Sequence, residues 1–199
     1  MNKIWISIFL AVLVWSAIHP KDYLTWLLET IPAMIGFVVL LATHGRFPLT
    51  LLAYVLILFH SIILMVGGHF TYAEEPFFNW LKTVFDLERN NYDKVVHFAQ
   101  GFVPVIIARE ILLRKQIVNG RRWLNFFLVC ICLAISACYE LIEWAAAVLC
   151  EQGTEAFLGT QGYVWDTQSD MVYALVGAVC GLVLLSRVHD RQLNLSGVS

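Results

Sequence analysis

Residues 48–66 read PLTLLAYVLILFHSIILMV, a run of nineteen without Asp, Glu, Lys or Arg. As a helix it would be about 28 Å long, close to the ~30 Å hydrocarbon core of a bilayer. Turn signals bracket it, His44-Gly45-Arg46 before and Gly67-Gly68 after. His60 lies deep in the run and reads as a hydrogen-bonded packing residue rather than a ligand. Further apolar runs at 4–18, 23–43, 95–113, 123–150 and 171–187 repeat the pattern. The expectation is an all-α polytopic membrane helix bundle with six spans, forming one integral membrane domain over 1–199.

Composition agrees. Of 199 residues, 59% are hydrophobic and 14% charged, against roughly 25% charged in a soluble domain. Mean hydropathy is +0.71. The net charge of −2 says little, because the signs are segregated along the chain. No basic stripe interleaved with aromatics appears, so nucleic acid is not an expected partner. Cys130, Cys132, Cys138, Cys150 and Cys180 form no CxxC pair and read as small packing residues.

Lys/Arg bias sets the expected orientation. With Lys3 inside, the inner loops hold eight Lys/Arg and the outer loops four, Arg109 lying within a helix. Both termini are then cytoplasmic. The first run also resembles a secretory signal, but lacks a small-x-small cleavage site before His19-Pro20, so retention as a helix is the expectation. In the long outer loop, Phe77, Phe78, Leu81, Val84 and Phe85 recur at helical spacing after Pro76. This predicts an amphipathic helix, either lying in the membrane interface or packed over the bundle.

The residues that can carry chemistry fall on the outer side. Asp93 and His97, four apart, share a helix face that continues through Gln100, Gly101 and Pro104. Asp93 alone would read as a helix cap; a carboxylate–imidazole pair can also be a structural hydrogen bond, a general base or part of a metal site. Glu140 and Glu143, three apart, suit proton handling or a divalent cation, unless Lys94 or Arg89 neutralises them. Asp166 and Asp170 open the last run, with Gln168 between them, and Gly177 and Gly181 beyond permit close helix contact. His69, Tyr72 and Glu29 complete one slab by helix rise. Candidate catalytic residues are therefore Asp93, His97, Glu140 and Glu143. Candidate ligand-binding residues are His69, Tyr72, Gln100, Asp166, Gln168 and Asp170, and candidate metal ligands are His97, Glu143 and Asp170. Arg109 is expected to snorkel to inner headgroups, forming an anionic-lipid contact with Glu110, Arg114, Lys115, Arg121 and Arg122. No GxSxG elbow, phosphate-binding glycine loop, HExxH or dinucleotide fingerprint occurs.

Three segments carry a resemblance: Gly67–Ala73, residues 92–102 (YDKVVHFAQGF), and residues 157–171 (FLGTQGYVWDTQSDM). They resemble the YjdF-type bacterial inner-membrane proteins over nearly the whole chain. The resemblance implies a multi-pass inner-membrane protein and carries over no active site. Asp93, Lys94, His97 and Phe98 are also similar to the Asp-Lys-x-x-His-Phe pattern of the VanZ-like membrane proteins, a likeness confined to the C-terminal half. There Glu143 replaces a Gln and Ala174 an Asn. The functional expectation is an outward-facing site that binds a lipid, an envelope precursor or a cation. The alternative is an enzyme, with a divalent metal as cofactor, acting on a lipid-linked substrate. A homodimer would supply volume that so small a chain lacks.

Overall fold

The computed structural model describes residues 2–149 and 160–195. Among them lie seven α-helices and no strand: α1 Lys3–Ala17, α2 Tyr23–Thr43, α3 Leu51–Phe70, α4 Pro76–Val84, α5 Tyr92–Arg114, α6 Arg121–Leu149 and α7 Asp166–Leu195. A 3₁₀ turn, Tyr72–Glu74, joins α3 to α4. The last residue of the expected fifth run, Cys150, lies outside the described residues, as do 151–159. Helices α2, α3, α5, α6 and α7 are long and apolar enough to cross a membrane.

Of the six expected spans, α1 is the exception. At 15 residues it reaches only about 22 Å, short of a bilayer core. It nevertheless runs alongside α3. Near one end the Trp5 indole N–H donates to the Tyr54 carbonyl at 2.7 Å, and near the other Trp15 stacks on His69 with centroids 4.6 Å apart. Phe9 and Phe37 stack at 4.4 Å and tie α1 to α2. The Gln192 side chain of α7 accepts from the Leu52 N–H at 2.9 Å. The beginning of α1 and the last turn of α7 therefore share the end of the bundle where α3 starts.

Helix starts follow local chemistry. The Asp22 carboxylate accepts the Thr25 N–H at 2.7 Å to cap α2, and that bond holds its pKa below the ordinary carboxylate value. Thr50 caps α3. Glu75 caps α4 by accepting the Phe78 N–H at 2.8 Å, with Pro76 in the first turn. Both readings of α4 are partly met: Phe78 packs on Tyr92 at 5.5 Å, while Phe77, Trp80 and Val84 remain exposed.

Gly67 and Gly68 do not form the expected turn. They lie inside α3, because their missing side chains serve packing. A Cβ on Gly67 would collide with the Tyr72 ring, and Gly68 faces Glu29 and Thr30 of α2. Helix α7 exceeds the expected 171–187 at both ends. It begins at Asp166, whose charge suits a helix N-terminus, and its last turns are held by Gln192 and buried Leu193.

The central contact is α5 against α7. A Cβ on Gly101 would strike the Ala174 carbonyl, one on Gly177 the Phe98 carbonyl, and one on Gly181 the Phe102 carbonyl and the Val105 side chain. Two backbones meet because small residues face each other. The outside of the bundle is apolar, as at Val38, Val55 and Phe126, which is a surface for lipid rather than water. Cys132 is buried beside the Gly101 carbonyl, 3.6 Å away, in a packing role.

Gly101→Ala is expected to lower stability by about 1–3 kcal/mol through overpacking at the α5–α7 contact. Gly36 has open space within 4 Å of the position a methyl group would take. It tolerates Ala and gains up to about 1 kcal/mol of helix propensity. Thermal unfolding of both variants in detergent checks the contrast.

Candidate functional site

The α5–α7 contact sets two polar rows facing each other at one end of the bundle. From α5 come Asp93, Lys94, His97 and Gln100, and from α7 come Asp166 and Asp170; all six are at least nine-tenths buried. Lys94 lies at the centre. Its Nζ donates to Asp170 Oδ1 at 2.6 Å, Asp166 Oδ1 at 2.8 Å and Asp93 Oδ2 at 3.2 Å. Arg89, just before α5, donates to Asp166 Oδ1 at 2.5 Å and Asp93 Oδ2 at 3.2 Å. The cap expected of Asp93 is absent: α5 starts after Asn91 without a side-chain cap, and Asp93 is held by side chains instead.

The aspartates divide their oxygens. Asp93 gives Oδ2 to Arg89 and Lys94, and turns Oδ1 to His97 Nε2 at 3.2 Å. Asp170 gives Oδ1 to Lys94 and leaves Oδ2 3.9 Å from His97 Nε2. One carboxylate oxygen of each is anchored by a cation while the other points at the imidazole. Asp93, His97 and Asp170 each offer one ligand atom, and these atoms lie within 4.8 Å of one another. Across the ring, His97 Nδ1 is 3.2 Å from Gln100 Oε1 and 3.7 Å from Glu140 Oε1. That last oxygen is buried and has no hydrogen-bond partner among the described residues.

The glutamates of α6 fall on the same site. Glu140 and Glu143 are buried, and Glu143 lies within electrostatic reach of Glu140, His97 and Glu29. Arg89 and Lys94 form ion pairs with the aspartates and with neither of these glutamates among the described residues. Glu29 of α2 accepts from the Tyr139 hydroxyl at 3.3 Å, and the Tyr139 ring meets His97 edge-on at 6.3 Å. Burial, and then the neighbouring Glu29 carboxylate, push the Tyr72 phenol well above its ordinary pKa, so it stays an O–H. Six carboxylates thus face two fixed cations and one imidazole among the described residues. A low-dielectric interior does not hold so many uncompensated charges; protons or a cation must supply the balance.

Two expected members stand apart. His69 stacks on Trp15, and its Nδ1 is 3.1 Å from the Ser16 carbonyl, so it joins α1 to α3. Gln168 is exposed on α7, since only residues four apart, Asp166 and Asp170, face α5 there. The hydrogen bond expected of His60 is missing at its buried Nε2, which has no partner among the described residues.

Several partners are not legible in the sequence. Gln161 brackets Asn90, accepting its N–H and donating to its carbonyl, both at 2.9 Å. Asn90 also donates to Asn79 of α4 at 2.9 Å. The loop before α7, the start of α5 and α4 are therefore tied together over the site, and the Tyr163 ring lies 5.6 Å from the Arg89 guanidinium and 5.8 Å from the Lys94 ammonium. The available signal is the polar density of residues 160–170, which does not by itself reveal pairing.

A second polar network lies at the other end of α5. Glu110, wholly buried, accepts the Thr50 N–H and hydroxyl at 2.9 and 2.7 Å and an Arg114 N–H at 2.9 Å. Its Oε2 is 3.1 Å from His189 Nε2. Arg109 does not snorkel. It is buried and bound to Asp190 at 2.5 Å and His189 at 3.0 Å.

Fold and cluster define a multi-pass helical membrane protein with buried ionisable groups at both ends of its central helix. The family described as Predicted membrane protein (DUF2238) matches residues 1–191, and the chain belongs to it. Inner membrane protein YjdF of Escherichia coli (strain K12) is 51% identical over 187 residues, covering 94% of this chain and 90% of that protein. No solved structure matches the chain. The chain is accordingly a multi-pass inner-membrane protein, and the lipid bilayer is its surroundings.

Lys94→Met removes the cation shared by three carboxylates, leaving Arg89 on Asp93 and Asp166 and no Lys or Arg on Asp170 among the described residues, and is expected to cost about 3–5 kcal/mol. Adding Asp170→Asn should restore part of that loss. Unfolding midpoints of the single and double variants decide it; equal stability of Lys94→Met and wild type contradicts the clasp.

Proposed function

We propose that the chain binds a divalent cation between Asp93 Oδ1, His97 Nε2 and Asp170 Oδ2. The supporting observation is the convergence of three buried donor atoms within 4.8 Å, two of them on aspartates whose other oxygens are already anchored. Carboxylates with one imidazole suit Zn²⁺ or Mn²⁺. Lys94 and Arg89 orient the ligands from behind, and Glu140 lies on the far side of the imidazole. Gln100 Oε1 lies 3.2 Å from the other ring nitrogen, His97 Nδ1, and Tyr72 lies beside Glu29. The Lys/Arg bias supports cytoplasmic termini and a site facing the periplasm, within one membrane domain.

A second reading makes this a metal-dependent enzyme acting on a lipid-linked substrate. It is favoured by α4, whose exposed Phe77 and Trp80 suit the membrane interface. Asn79 and Asn90 fix that helix beside the site. A headgroup in the adjacent leaflet would meet the ion there, with Glu140 or Glu143 available as a base. This reading requires turnover of a lipid-linked substrate that stops on chelation; binding alone requires none.

Full-length protein in detergent is expected to take up one Zn²⁺ or Mn²⁺ per chain by metal analysis and calorimetry. Affinity should weaken as pH falls, because protons compete for the ligands. Removing a ligand in His97→Ala or Asp170→Ala should cost at least about 100-fold, and Glu140→Gln, which alters a neighbour of the imidazole rather than a ligand, about tenfold. Wild-type affinity in folded His97→Ala would rule out this site.

A further inference from the structure

The far end of α5 carries an assembly the carboxylate cluster does not use. Arg109 lies sixteen residues beyond Asp93 on that helix, about 24 Å along its axis. Between the neighbouring ends of α5, α6 and α7 opens a cavity of about 780 Å³, within the roughly 300–1,000 Å³ typical of small-molecule sites. One arginine enters from each helix: Arg109, Arg121 and Arg187. Asp190 is the single carboxylate lining it among the described residues.

Arg109 is built in rather than draped over the surface. It is 8% exposed. Its Nη2 donates to Asp190 Oδ1 at 2.5 Å, and its Nη1 donates to His189 Nδ1 at 3.0 Å. That leaves the His189 Nε2–H to donate to Glu110 at 3.1 Å, which fixes a neutral tautomer. A buried chain of bonds thus sets the direction of the guanidinium. Arg121 and Arg187 are exposed at the rim. Three guanidiniums against one carboxylate leave the cavity cationic, and planar guanidinium forks match phosphate oxygens.

The wall indicates where the phosphate comes from. Val183 and Leu184 line the cavity yet are 72% and 64% exposed on the outside of the bundle, so it opens sideways toward the surface that contacts lipid tails. Two further basic residues of this end, Arg114 and Lys115, are engaged elsewhere. Arg114 donates to the Pro48 carbonyl at 2.6 Å and lies over the Phe47 ring at 3.7 Å, with Lys115 5.5 Å from the same ring.

We infer that the cavity formed by Arg109, Arg121 and Arg187 is a site for a phosphate-bearing anion, and that the anion is the headgroup of an acidic phospholipid. The test uses full-length protein in detergent, with short-chain phosphatidylglycerol, short-chain phosphatidylcholine and inorganic phosphate as probes, read by native mass spectrometry. Phosphatidylglycerol should bind at least about tenfold tighter than phosphatidylcholine, and Arg121→Gln/Arg187→Gln should remove most of that preference. These two residues are exposed, so the variant folds; an unchanged unfolding midpoint checks it. Arg121→Lys/Arg187→Lys should retain an intermediate preference. Failure of millimolar inorganic phosphate to displace the lipid supports the lipid assignment. Displacement with the same arginine dependence keeps the phosphate site and overturns its assignment to lipid. Equal binding of the two lipids, or full preference in the folded Gln variant, overturns the site.

Discussion

Asp93, Asp166 and Asp170 occupy one buried space because the Lys94 ammonium touches all three. Without a cation between them, like charges in low dielectric would drive α5 and α7 apart. The backbone contact beneath depends on the same arrangement. Gly101, Gly177 and Gly181 bring the two helices within carbonyl contact, and that proximity lets an α5 lysine reach the first turn of α7. Packing and charge reinforce each other: the glycines set the distance, and the ion pairs set the register.

The rest of the site follows from that register. With α7 so placed, Asp170 Oδ2 faces His97, and His97 in turn faces Glu140 of α6. Three helices distant in sequence thereby meet at one imidazole. At the other end, where α5 meets α3 and the last turns of α7, Glu110, His189 and Arg109 form a satisfied chain rather than a charge excess. The two ends differ in this respect. One holds more carboxylates than its cations balance; the other holds more guanidiniums than its carboxylates balance, and opens onto lipid.

Much of this is legible in the residues. Apolar run lengths give the helices, because bilayer thickness fixes how long they must be. Asp93 and His97, and Asp166 and Asp170, are readable as face-sharing pairs from helical spacing, and Gly177 and Gly181 as a helix-contact surface. What spacing does not encode is which helices are neighbours. Lys94 thus reads only as the alternative neutraliser of the glutamates when it serves the aspartates, His69 reads with the cluster when it packs on α1, and Arg109 reads as a snorkelling side chain when Asp190 holds it. Gly67-Gly68 reads as a turn because glycine serves turns and tight packing alike; only the Tyr72 ring against it decides between them.

The most direct measurement is pulsed electron paramagnetic resonance of Mn²⁺ bound to the full-length protein. A site built from Asp93, His97 and Asp170 gives nitrogen hyperfine coupling from a single imidazole, and the coupling disappears in His97→Gln. Manganese held without any nitrogen coupling, or coupling that survives the substitution, would place the ion elsewhere and leave the cluster as a purely structural clasp.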